Sequence, residues 1–133
     1  FAGSGQLGIE ALSRGAKSAV FVDISDVSLK AVKENLNKTG LNDFAEVIKA
    51  DYSSYLLTSS KKFDIAFLDP PYNSGVLQDA LIKTANVMSD SGVIICEHPA
   101  QTQLLEAVSD FKAAKKYKYG KIHVTIYKKE QSS

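Results

Sequence analysis

Gly3-Ser4-Gly5-Gln6-Leu7-Gly8-Ile9-Glu10-Ala11-Leu12-Ser13-Arg14-Gly15-Ala16-Lys17-Ser18-Ala19-Val20-Phe21-Val22-Asp23 is the stretch that decides the fold. Its first six residues fit G-x-G-x-x-G. Glycines there let the backbone come close to a ligand, and a following helix presents unpaired N–H groups. Leu7, Ala11 and Leu12 share one helical face, and Gly15 stops the helix. Ala19 to Val22 is an apolar run with the pattern of a buried parallel strand, and it ends at the acid Asp23. A glycine loop, a helix, a strand and an acid about 20 residues after the first glycine are the parts of a nucleotide-binding α/β unit.

The same alternation continues outward. Ser25 or Ser28 is expected to cap a helix carrying Leu29, Val32 and Leu36, which Gly40 ends. Ala45 to Ile48 reads as a strand leading to Asp51, followed by a short helix near Ser54 to Ser59. Phe63 to Leu68 is a third strand and runs into Asp69-Pro70-Pro71-Tyr72. Leu77, Leu81, Thr84 and Met88 predict a helix closed by Asp90-Ser91-Gly92, and Val93 to Cys96 a fourth strand. Leu104, Leu105, Val108 and Phe111 have helical spacing, and Lys115 to Tyr119 with Ile122 to Tyr127 flank Gly120 as a hairpin. Strands alternating with helices imply an α/β fold with a doubly wound, mostly parallel sheet, here closed by an antiparallel hairpin. Ligands in such sheets bind at the carboxyl ends of the strands, and the loop, Asp23, Asp51 and Asp69 to Tyr72 all fall there.

The chain has 133 residues, 44% hydrophobic and 23% charged, the proportions of one ordinary globular domain spanning 1–133. A net charge of +1 excludes no class of partner. Cys96 is the only cysteine, so an intramolecular disulfide is excluded and no cysteine cluster exists for a metal. The expected compartment is the reducing cytoplasm. No apolar run approaches the ~20 residues that cross a bilayer, and no membrane association is expected.

Asp69 to Tyr72 carries the most chemistry. Two successive prolines have fixed φ and no N–H, so they end a strand and stiffen the loop. Asp69 and the Pro70 carbonyl can then act as paired acceptors for the two protons of an exocyclic amine, leaving its lone pair free to take a methyl group. Tyr72 offers a face on which an extruded base can stack. Asp23 suits acceptance from ribose hydroxyls, with helix capping as the plainer alternative. Asp51 suits an adenine amine, and capping of the short helix at Tyr52 explains it equally well. His98 and His123 lack partners at metal-ligand spacing, so no metal site is expected.

Residues Phe1 to Ala16, Leu68-Asp69-Pro70-Pro71-Tyr72, and the tail from Lys118-Tyr119-Gly120 to Thr125-Ile126-Tyr127 resemble the RsmD family. That family consists of bacterial methyltransferases that act on the N2 amine of a guanine in small-subunit ribosomal RNA. The resemblance implies a class I methyltransferase fold that uses S-adenosyl-L-methionine. It implies cofactor contacts from Phe1, Gly3, Ser4, Gly5, Asp23, Ile24, Asp51 and Tyr52, and catalysis by Asp69, Pro70, Pro71 and Tyr72. The implied partner is ribosomal RNA or the assembling small subunit; a monomer is the expected state, with a dimer as the alternative. The family carries a basic arm, a helix and a central strand ahead of the position of Phe1, so the sequence reads as part of a longer chain. DNA adenine-N6 methylation is the alternative enzyme reading, since Asp-Pro-Pro-Tyr is shared with it. An NAD-dependent oxidoreductase on a Rossmann fold is the alternative from another class.

Between Phe111 and Lys129 the chain has seven lysines (112, 115, 116, 118, 121, 128, 129) and no acid, with Tyr117, Tyr119, His123 and Tyr127 interleaved. Lysines that protect an exposed sheet edge are the plainer reading, and contacts to RNA phosphates the sharper one.

Overall fold

A computed structural model describes residues 1–70 and 74–129. The chain divides into two compact units, Phe1–Tyr55 and Leu56–Ser133, each described below by itself.

In the first unit the glycine-rich loop leads into α1 (Gln6–Ser13), followed by β1 (Ala19–Asp23), α2 (Asp26–Thr39), a single 3₁₀ turn (Asn42–Phe44), β2 (Ala45–Lys49) and the start of α3 (Tyr52–Thr58). β1 and β2 pair in parallel, Phe21 beside Val47 and Asp23 beside Lys49. Leu12 of α1, Phe21 of β1, and Val32 and Leu36 of α2 form the buried core, with Ile9, Ala19, Leu41 and Val47 packed against it. These are the positions that the helical and strand periodicities single out. Ser25 caps α2 by accepting from the Ser28 N–H at 3.2 Å, and Gly40 closes it.

The second unit holds β3 (Phe63–Leu68), α4 (Ser74–Ala85), β4 (Met88–Pro99), β5 (Ala107–Val108), β6 (Phe111–Tyr119) and β7 (Ile122–Lys129). They form one sheet in the order β3-β4-β7-β6-β5. β3 and β4 are parallel, and the remaining pairs antiparallel. Along β4 the buried Ile94, Cys96 and His98 alternate with the half-buried Val93, Ile95 and Glu97. α4 packs on β3 and β4 and buries Leu77, Ala80, Leu81 and Thr84 at helical spacing.

Two sequence expectations are corrected. The helix through Leu104, Leu105, Val108 and Phe111 is absent. Residues 103–105 have no regular structure, and Val108 and Phe111 face each other across a two-residue turn from β5 to β6. Ser109 takes φ 53 in that turn, a conformation that neither Ser109 nor Asp110 announces as Asn-Gly would. Both apolar residues are buried, so a hairpin satisfies the same hydrophobic spacing as a helix. Likewise α4 stops at Ala85, and Met88 to Gly92 belong to β4, with an irregular register between Met88 and Val93. There Ser89 donates to Asp64 at 2.7 Å and the Phe63 N–H to the Val87 carbonyl at 2.8 Å, which anchors the segment to β3.

Candidate active site

The expected cofactor residues of the first unit surround the glycine loop. Gly3 has φ 57 and Gly5 φ 80, a region that favours glycine. A Cβ on Gly3 would meet nothing within 4 Å, so open space lies over that backbone. A Cβ on Gly5 would lie 3.1 Å from Val32, and one on Gly8 2.4 Å from the Phe21 ring. The three glycines therefore have separate roles: the first leaves room for a ligand, and the other two let the loop and α1 settle onto α2 and β1.

Asp23 is the clamp of this loop. Its Oδ2 accepts the Gly3 N–H at 3.1 Å and its Oδ1 accepts the Ser25 N–H at 3.0 Å. Partial burial alone would raise its carboxyl. N–H donations from Ser25, Gly3 and Ile24 act against burial, and the carboxyl is held below the ordinary value of 3.8. Asn35 on α2 donates to the Ser4 carbonyl at 2.9 Å and ties down the other side of the loop. Sequence reasoning expects Asp23 at a ribose but misses the loop it organises. Each carboxylate oxygen keeps a further lone pair for such a donor.

Asp51 caps α3, its Oδ2 accepting the Ser54 N–H at 3.2 Å. Phe1 and Tyr52 pack ring against ring, centroids 5.0 Å apart. Ile24, next after Asp23, is 67% exposed, an apolar side chain open to a flat ligand at the carboxyl end of β1. Open space over Gly3, clamped N–H groups, an acid and exposed apolar surface fit a nucleoside cofactor.

In the second unit Asp69 and Pro70 follow β3 directly. Pro71 and Tyr72 lie outside the described residues. Leu68 pairs with Cys96, so Asp69 emerges beside Glu97, the next residue of β4. Sequence reasoning misses Glu97 because its place depends on a register that no local pattern encodes. Asp69 is open to solvent on one side, yet burial raises its carboxyl above the usual range. Burial also raises the Glu97 carboxyl, and the charge of Asp69 adds to it. Among the described residues neither accepts a hydrogen bond from the protein.

Cys96 and His98, buried on β4, serve the fold. Burial pushes the Cys96 thiol up to about 12, which suits a core residue. His98 donates to or accepts from Thr125 at 2.8 Å and meets the Pro99 carbonyl at 3.0 Å. Among the described residues no group of three His, Cys, Asp or Glu is placed to hold a metal ion, and no helix is long and apolar enough to cross a membrane.

Known proteins resemble this chain along nearly its whole length. The family described as "Conserved hypothetical protein 95" matches residues 1–128. YlbH of Bacillus subtilis (strain 168) is 40% identical over 97% of this chain and 73% of its own length. The ribosomal RNA small subunit methyltransferase D of Buchnera aphidicola (subsp. Baizongia pistaciae) is 32% identical over 96% of this chain and 66% of its own. A solved structure from Streptococcus pyogenes superposes with a TM-score of 0.92 at 30% identity, covering 98% of this chain and 82% of that one. These likenesses, with the α/β fold, define a methyltransferase of the class I fold. Within that class the chain belongs to the RsmD family of ribosomal RNA methyltransferases.

Proposed function

We propose that the protein transfers a methyl group from S-adenosyl-L-methionine to the exocyclic N2 amine of a guanine in 16S ribosomal RNA. The observation that carries this reading is the pair Asp69 and Glu97, side by side at the carboxyl ends of β3 and β4 and accepting no hydrogen bond from the described residues. The cofactor, held by Gly3, Ser4, Gly5, Asp23, Ile24 and Tyr52 with Phe1 and Asp51 beside them, supplies a methyl group already activated on a sulfonium. No metal is needed for that chemistry.

Asp69 and the Pro70 carbonyl accept the two protons of the target amine and fix its orientation. Asp69, raised by burial, is a stronger proton acceptor than a fully solvated aspartate and takes the proton that the methylated nitrogen releases. By their residue types, Pro71 and Tyr72 suit a stiffened loop and a stacking face for the extruded base. Glu97 accepts the N1–H that guanine presents next to its N2 amine. Adenine carries an acceptor at N1, which would face the Glu97 carboxylate unfavourably. This difference supports guanine over the adenine-N6 alternative, and the Asp69–Glu97 pair offers no counterpart for hydride transfer to NAD.

The test uses the full-length protein and 16S RNA, naked and in assembling subunits, from cells lacking the gene. One N2-methylguanine is expected on mapping. Asp69→Ala is expected to lower turnover by at least about 100-fold while S-adenosylhomocysteine still binds. Near-normal turnover by that variant, or a mark on any atom other than N2 of guanine, sinks the reading.

A further inference from the structure

We propose that the β6–β7 hairpin face carrying Tyr117 and Tyr119 is a stacking platform for the single-stranded nucleotides that flank the target base. The inference rests on RNA being the substrate, and it assigns a part of the molecule that the reaction itself does not use.

Tyr117 and Tyr119 stand two apart on β6 and so share one face of the sheet. They are 40% and 65% exposed, and their rings lie nearly parallel, planes 20° and centroids 6.4 Å apart. The register connects them to the candidate amine site. Tyr117 pairs with Val124 of β7, and Val124 pairs with Glu97 of β4. Glu97 in turn lies beside Asp69. Tyr117, Val124 and Glu97 therefore form one row across three neighbouring strands, on one face, and Asp69 follows the end of β3 beside that row. At about 4.8 Å per strand, Tyr117 stands about 10 Å from Glu97. The turn of the hairpin lies at the same edge, because Pro99 at the carboxyl end of β4 pairs with Ile122.

Charge completes the match. No acid occurs between Phe111 and Lys129. Lys116 pairs with Glu106 and Lys129 with Asp90, whereas among the described residues Lys115, Lys118 and Lys121 have no carboxylate partner. Edge protection accounts for lysines here, since β5 and Glu106 reach only Phe111, Lys112 and Ala113 and, among the described residues, leave β6 beyond Ala113 without a strand partner on that side. It does not account for two aligned tyrosine rings left in water beside them. A single strand of RNA explains both, because bases stack on aromatic faces and phosphates attract lysine.

The test measures methylation kinetics and RNA binding by the full-length protein. Tyr117→Ala with Tyr119→Ala should raise KM for RNA about tenfold or more, with kcat and S-adenosylhomocysteine affinity near wild type. The corresponding double Phe variant keeps the rings and should bind like wild type. Lys118→Gln with Lys121→Gln should lower the slope of log Kd against log salt by about 1.4. The platform is overturned if the double Ala variant leaves KM within twofold. It is overturned equally if the Ala pair loses cofactor affinity in parallel with RNA affinity, since that reports a damaged fold. Loss of activity on assembling subunits with naked-RNA affinity intact would assign the face to a ribosomal protein instead. Failure of the unaltered protein to methylate any RNA would sink the proposed function first, and this placement with it.

Discussion

The glycine loop and the Asp69–Pro70 turn are both polar loops with a ligand to hold, yet they are finished in opposite ways. In the loop several polar groups are already paired within the protein. Gly3 donates to Asp23, Ser25 donates to the other oxygen of Asp23, Asn35 donates to the Ser4 carbonyl, and Asp51 caps α3. At the turn, Asp69 and Glu97 accept no hydrogen bond from the described residues, and burial raises both carboxyls. One region is a cradle whose shape exists before the ligand comes. The other holds acceptors with unmet demand, which an amine and a ring N–H satisfy. The difference separates binding from chemistry: changes in the first region should strike stability and cofactor affinity, and changes in the second turnover and base choice.

The sharpest way to break that division is Gly8→Val. A Cβ at this position would lie 2.4 Å and 2.7 Å from the ring of the buried Phe21. Overpacking of this kind typically costs about 1–3 kcal/mol. Thermal denaturation should show the loss, and S-adenosylhomocysteine affinity should fall with it. Phe21→Leu added to Gly8→Val should recover part of both, because the smaller side chain relieves the contact. If Gly8→Val kept full stability and lost only turnover, the loop would not be the rigid cradle described.

The two regions also differ in how far the sequence reveals them. The glycine loop, α1, β1 and α2 are legible because local signals agree: G-x-G-x-x-G, a cap at Ser25, and apolar spacing at Leu29, Val32 and Leu36. The hairpin at Gly120 is legible for the same reason. Residues 104–111 are misread because four apolar residues fit both a helix and a tight hairpin, and only burial against the sheet decides between them. Met88 is misread because its helical spacing continues past the true end of α4 at Ala85. Glu97 and the Tyr117 row cannot be read at all. They depend on pairings such as Leu68 with Cys96 and Tyr117 with Val124, which join residues far apart in the chain. The clamp between Asp23 and Gly3 is likewise a tertiary contact, spanning 20 residues.

Asp23→Asn gives a smaller effect in the cradle and shows its electrostatic part. An amide can accept from only one of the two N–H groups, so one donation and the charge are lost. The expected destabilisation is about 1–2 kcal/mol at neutral pH. The carboxyl is held below its ordinary value in the folded state, so its contribution is present above about pH 3.8. It is lost as pH falls through the lower folded value. The stability gap between wild type and variant should therefore stay constant from neutral pH down to mildly acidic pH and then close. A gap that widens on acidification would mean that Asp23 is strained and not clamped.

Glu97→Gln should leave stability almost untouched and change which base is preferred. Guanine presents N1–H and N2–H donors together, whereas 2-aminopurine keeps the N2 amine but carries an acceptor at N1. A carboxylate at position 97 favours the first, and an amide can donate to the second. The ratio of kcat/KM for guanine over 2-aminopurine at the target position should fall about tenfold, equivalent to about one hydrogen bond. A residue that only supports the sheet would lower both rates together and leave the ratio unchanged. Acid should act in the same direction as the substitution. The Glu97 carboxyl is raised by burial and then by the charge of Asp69, so it protonates on mild acidification before an ordinary glutamate would. Protonation weakens acceptance from N1–H and supplies a donor to the N1 of 2-aminopurine. The wild-type preference for guanine should thus decline as pH falls through that raised value, while the preference of the Gln variant stays flat.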